Sequence, residues 1–166
     1  MKKLFYFSLL LSFIFLSSCG GDDDEGLKVN NMITIGNETF DISSGAFIDF
    51  GVTSEAYEAS FALSDATLTP RESSFSFSTS ASIVIVFNLF SPGNTLASGT
   101  YTKGDEISPS GSVFLDGVVQ VNGNASSITG GTIQFSGSAP NFTVQLDVSL
   151  SSGEQLSGGY SGTYIE

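Results

Sequence analysis

Beyond its first residues the chain carries a two-residue period of apolar and polar positions. Apolar residues do not recur at i, i+3, i+4 and i+7 for more than a turn, so no amphipathic helix is predicted. Tyr57, Ala59, Phe61 and Leu63 alternate with Glu58, Ser60, Ala62 and Ser64. Phe142, Val144, Leu146 and Val148 alternate with Thr143, Gln145, Asp147 and Ser149. Such strands have one dry and one wet face, as antiparallel sheets do. Val113, Leu115, Val119 and Val121 share a parity, as do Ile133 with Phe135 and Leu156 with Tyr160 and Tyr164. The run Ile83-Val84-Ile85-Val86-Phe87 is apolar on both parities. Its β-branched residues disfavour a helix, so it predicts a central strand covered on both sides.

Turn residues punctuate these runs. Gly36-Asn37 lies between Met32-Ile35 and Glu38-Ile42 and suits a two-residue hairpin. Ser91-Pro92-Gly93-Asn94, Asn122-Gly123-Asn124, Ala139-Pro140-Asn141 and Ser151-Ser152-Gly153 mark later turns. Phe75 and Phe77 turn the Ser-rich piece 71–80 into a strand candidate, and residues 103–111 form the longest predicted loop. No connection has room for a crossover helix. The expectation is all-β: an antiparallel meander of about nine or ten short strands, as an up-and-down barrel or a two-sheet sandwich. Residues 28–166 make one domain of this kind, large enough to bury a core without a disulfide.

The N-terminus reads as an address. Met1-Lys2-Lys3 is followed by Leu4 through Leu16, apolar but for Ser8 and Ser12. A membrane-spanning helix needs about 20 apolar residues, so this stretch fits a signal peptide, with an uncleaved anchor helix as the alternative. Leu16-Ser17-Ser18-Cys19-Gly20 resembles the lipobox of bacterial lipoproteins. The resemblance implies a signal peptide over residues 1–18, cleavage before Cys19 and lipidation of its thiol. The mature protein is then anchored through acyl chains on Cys19. Gly20-Gly21-Asp22-Asp23-Asp24-Glu25-Gly26 has nothing to bury and its carboxylates repel one another, which predicts an extended tether over residues 19–27. The run Asp22, Asp23, Asp24, Glu25 is similar to the export signal of surface-displayed Bacteroidota lipoproteins, implying an outer-membrane protein facing the cell exterior. Contiguous Asp does not match the alternating ligands of a calcium loop. The β-hairpin and Gly/Tyr strand from Gly131 to Gly162 also resemble a pattern in small lipoproteins of that group, a structural signature without a settled activity.

Composition narrows the chemistry. The chain of 166 residues has a formal net charge of −12, one Cys, and no His or Trp. Without imidazole there is no Ser-His-Asp triad and no ordinary zinc site, and one Cys forms no internal disulfide. Once Lys2 and Lys3 are removed, Lys28, Arg71 and Lys103 face all 17 acidic residues. Such a body binds neither nucleic acid nor an anionic lipid surface by charge. No cofactor and no metal are implied.

Carboxylate pairs are the remaining catalytic device, and Glu55/Glu58, Asp105/Glu106 and Asp116/Asp147 are the candidates. Tyr101, Tyr160 and Tyr164 could instead form an aromatic ligand platform, or be core tyrosines whose hydroxyls reach the rim. The Gly pairs 130–131 and 158–159 suit bulges or close backbone packing. The resulting expectation is a non-catalytic binding or interaction module for a small-molecule, glycan or protein partner. Its alternatives are a carboxylate-dependent glycan-active enzyme and an accessory subunit of a surface transport or adhesion complex.

Overall fold

A computed structural model of the chain describes residues 27–53, 56–108 and 110–166. The expected signal peptide, Cys19 and the run Asp22–Glu25 lie outside the described residues, as does Glu55. The described part is all-β, in strands β1 (Met32–Ile35), β2 (Glu38–Asp41), β3 (Ser44–Val52), β4 (Tyr57–Ser64), β5 (Leu68–Pro70), β6 (Phe75–Phe77), β7 (Ile83–Ser91), β8 (Gly99–Lys103), β9 (Val113–Val121), β10 (Asn124–Ser138), β11 (Asn141–Leu150) and β12 (Gln155–Ile165).

Strand pairing runs β3–β4–β7–β9–β10–β11–β12 and returns to β3, a closed, barrel-like circuit. Every step before the last is antiparallel. An odd number of alternating strands leaves the first and last pointing the same way, so the closing seam has to be parallel. It is short, matching Tyr164 with Gly45 and Ile165 with Ala46. A second parallel pairing arises where β8 wedges between β9 and β10. The sheet is therefore mixed at these two places, where a wholly antiparallel meander was expected, and the short β5–β6 hairpin and β8 raise the strand number to twelve among the described residues.

The first half of β12 is paired by β1, and its end by β3. Asn31 splices the gap between them. Its backbone lies in the left-handed region (φ 53°). Its side-chain oxygen accepts from the Ser161 amide (2.8 Å), while its Nδ2 donates to the Ser161 carbonyl (3.2 Å). The Asn31 carbonyl also accepts from the Ile42 amide (2.8 Å), tying down the return of the β1–β2 hairpin. One side chain thus supplies the two ladder bonds that neither strand reaches.

The turns follow their sequences. Gly36 (φ 57°) turns β1 into β2, and Asn122 (φ 49°) with Gly123 (φ 84°) turns β9 into β10, both central residues left-handed as a type I′ hairpin needs. The glycine pairs mark a bulge and close backbone contact. Pairing of β10 with β11 shifts between Ile128 and Gly130, and a Cβ on Gly158 would lie 2.1 Å from the Met32 carbonyl oxygen.

Phenylalanines fill the barrel. Phe61 on β4 meets Phe47 on β3, Phe87 on β7, Phe135 on β10, Phe142 on β11 and Tyr164 on β12, with ring centroids 5.3–6.0 Å apart. The expected inner faces hold for β11 and β12: Phe142, Val144, Leu146, Val148, Leu156, Tyr160 and Tyr164 are all buried. β7 is covered on both sides. Ile83, Ile85, Phe87 and Leu89 face the barrel core, while Val86 packs outside against the cluster of Ala46, Ala62 and Leu68.

Two expected faces are corrected. The parity of Ser60 and Ser64 was predicted to be wet, yet Ser60 is 5% and Ser64 0% exposed, because neighbouring strands and the β5–β6 hairpin cover the outside of β4. Ser64 is satisfied there, donating to the Ile83 carbonyl (2.8 Å) and accepting from the Ala66 amide (3.1 Å). On β9 a bulge intervenes, since Phe87 pairs with Gly117 but Leu89 with Phe114. It turns Val113 and Leu115 to an outer cluster with Phe90 and Ala56, while Val119 remains in the core.

Replacing Asn31 with Ala removes both Ser161 bonds. At about 0.5–1.5 kcal/mol for each hydrogen bond, the loss of two is roughly 1–3 kcal/mol. Urea unfolding of the full chain should show a lowered midpoint for Asn31→Ala, and Asn30→Ala, at an exposed neighbour, should leave it nearly unchanged.

Candidate functional site

The three sequence-predicted tyrosines do not assemble into a platform. Tyr101 is 0%, Tyr164 2% and Tyr160 8% exposed, so their ring faces meet protein and not solvent. Tyr160 and Tyr164 meet edge to face at 5.4 Å. Both crowd Gly45, where a Cβ would lie 2.8–2.9 Å from their rings. Tyr101 lies apart, against Phe135 (6.2 Å). The reason is parity: these strand residues point inward, and the rings are the filling of the barrel. The Tyr164 hydroxyl is buried without a hydrogen-bond partner, and burial, then its neighbour Tyr160, pushes its phenol well above the usual value.

The carboxylate pairs are not brought together either. Glu58 is half-buried on the outer face of β4, where desolvation raises its pKa. Asp105 and Glu106 are exposed on the loop between β8 and β9. Asp116 and Asp147 are exposed on β9 and β11, strands separated by β10. Among the described residues no group of three or more His, Cys, Asp or Glu side chains could hold a metal ion.

The structure instead assembles a site at one mouth of the barrel. There Phe47, Ala59, Phe142, Leu96, Tyr57 and Asp49 line a recess of about 160 Å³. Phe47, Ala59 and Phe142 belong to the buried core, so the bottom of the recess is the exposed end of the aromatic stack. Leu96 is held over it from behind. The Ser91 hydroxyl donates to the Thr95 carbonyl (2.9 Å) and accepts from the Ala97 amide (3.3 Å). The Tyr101 hydroxyl donates to the Ala97 carbonyl (2.6 Å). A residue read as a ligand platform is thus a positioning residue for the loop that carries Leu96.

Polar chemistry is concentrated at one edge. β3 bulges between Asp49 and Gly51, and Gly51 (φ 70°) folds back so that its amide donates to Asp49 Oδ1 (2.7 Å). The Tyr57 hydroxyl donates to Asp49 Oδ2 in a short hydrogen bond. Desolvation, then the hydrogen bond to Asp49 and its charge, then Glu166, push the Tyr57 phenol up to about 12. At neutral pH the Tyr57 phenol keeps its proton and donates it to the Asp49 carboxylate. The alternation at Tyr57, Ala59 and Phe142 marked these residues as core, and the turn at Ala139-Pro140-Asn141 marked a strand end, but neither announced a site. Asp49 gave no signal.

Larger recesses lie elsewhere. One of about 250 Å³ follows the outer wall beside Val29, Thr34 and Gly159, and one of about 590 Å³ is lined by Ser78–Ser82 and Gln120. Neither places an apolar floor beside a hydrogen-bonded ionisable pair, as the mouth does. No protein-family model, curated protein or solved structure matches the chain. The site therefore rests on its own geometry.

The proton of Tyr57 is held mainly by burial and by Asp49. A raised phenol pKa favours the folded state fully below pH 10 and loses that contribution as pH climbs toward about 12. Asp49→Asn removes the carboxylate charge, so ultraviolet titration of the full chain should show one tyrosine ionising closer to pH 10 than in the wild type. A titration curve unchanged by the substitution would show that Asp49 does not control Tyr57.

Proposed function

We propose that this is a lipid-anchored outer-membrane lipoprotein, facing the cell exterior, whose barrel acts as a non-catalytic binding module through its mouth. The observation that carries the binding reading is the recess itself. The interior is filled by aromatic rings, and at the mouth a concavity keeps an apolar floor beside convergent polar groups. The nature of its contents also favours binding over catalysis: Asp49 and Tyr57 are committed to each other, and among the described residues no second carboxylate lines the recess.

The anchoring part of the reading is supported by Leu16-Ser17-Ser18-Cys19 and the acidic run that follows. None of Leu27, Lys28, Val29 or Asn30 lines the mouth. Because the body is acidic, acyl chains and not surface charge hold it to a bilayer.

Binding at the mouth is tested with benzyl alcohol, an uncharged apolar probe. Titrated into the full chain in neutral detergent micelles, it should shift the backbone amide resonances of Gly51, Leu96 and Ser138. Leu96→Trp, which fills the recess, should abolish those shifts. Shifts spread evenly over the outer wall, or unaffected by Leu96→Trp, refute the mouth as the site.

Anchoring is tested by metabolic labelling with a fatty-acid probe. Cys19→Ala should lose the label, and equal labelling of mutant and wild type rejects the anchor. Replacing Asp22, Asp23, Asp24 and Glu25 with Ala should preserve labelling but reduce cleavage by protease added to whole cells. Equal cleavage shows that the run is only a solvated spacer.

A further inference from the structure

The hydrogen-bonding inventory of the mouth is lopsided. Phe47, Ala59, Leu96 and Phe142 bring no side-chain donor. The Tyr57 hydroxyl and the Gly51 amide are donors, but both are spent on the Asp49 carboxylate. Ser138 adds one hydroxyl. Among the side chains, what remains for a ligand is a carboxylate with unused lone pairs, an aromatic and aliphatic wall, and the Ser138 hydroxyl. An anion would be repelled by the charge of Asp49, and a cation beside apolar rings is attracted to it.

The surroundings have the same sign. An adjoining hollow of about 370 Å³ shares Phe47 and Asp49 with the mouth and adds Glu72, Glu166 and Arg71. Arg71 is the one basic side chain among its lining residues, and its Nε donates to Ser76 Oγ (3.4 Å) across the turn between β5 and β6. Three carboxylates therefore outnumber one guanidinium around the entrance. The field steers cations toward the recess.

Size limits the ligand. The recess of about 160 Å³ equals about five liquid-water volumes at about 30 Å³ each. It is the size of one ring or a short chain with its charged end.

From this geometry we propose that the mouth binds a small organic cation, a primary ammonium on a short apolar stem, with the stem on Phe47, Ala59 and Phe142 and the ammonium at Asp49. The inference rests on the reading of the mouth as a binding site and adds the charge and class of what enters it.

The test compares phenethylammonium with phenylacetate and benzyl alcohol, read by the same amide resonances in the full chain. Phenethylammonium should bind at least about tenfold more tightly than phenylacetate, the scale of one charged hydrogen bond. Asp49→Asn, with its fold checked by circular dichroism, should reduce that affinity about tenfold. Raising ionic strength should weaken the ammonium without affecting benzyl alcohol, a comparison that needs no variant. If benzyl alcohol binds and the two ions bind equally, the cation inference falls while the mouth survives. If salt leaves ammonium binding unchanged, the inference falls as well. If none of the three probes binds, both readings fall.

Discussion

Closing a sheet of this size leaves an interior that something has to fill, and here Phe61 is the centre of what fills it. Its ring meets five others, from β3, β7, β10, β11 and β12, so a single side chain on β4 joins nearly the whole circuit. These strands are far apart in sequence and meet only when the barrel is closed. Buried aromatic area and edge-to-face contact then favour closure as a cooperative event. A chain with no Trp uses Phe for this, and the glycine at position 45 makes room for two tyrosines beside them.

The circuit also determines where the wall is weak. Its parallel seam holds only two residue pairs, and the wall beside it is completed by the β1–β2 hairpin and by the Asn31 amide. Beyond the seam β3 continues past the end of β12, bulges at Asp49 and leaves Tyr57 and Asp49 facing each other at the mouth. The recess is a consequence of that overhang. It is where the aromatic stack ends without another layer above it.

Electrostatics then differentiates this end from the rest of an acidic surface. Most carboxylates are dispersed on outer faces and loops, where water screens them. Asp49 is exposed too, and differs in that a phenol and a backbone amide hold it and apolar rings line the recess beside it. Its charge is fixed in place and set beside a concave surface, which is the combination a selective site requires.

The local alternation by itself determined a good deal: the all-β class, the inner faces of β11 and β12, the two-sided burial of β7, and the turns at Gly36 and Asn122-Gly123. These features depend on residues adjacent in the chain, through side-chain parity and the φ that glycine and asparagine tolerate. The N-terminal segment gave an expectation of destination and none of the fold. Tertiary structure decided the rest. Ser60 looked wet because nothing nearby in sequence announces that strands and a hairpin will cover it. Val113 and Leu115 share a sequence parity with Val119 but not its face, because a bulge is defined by the partner strand. The Tyr101 bond beside Leu96 and the Asp49–Tyr57 pair are each local, four and eight residues apart, but only the fold set Leu96 and Phe142 beside that pair at one end of the barrel. Period two records which side of a strand a residue occupies, while what lies on that side depends on contacts between residues far apart in the chain.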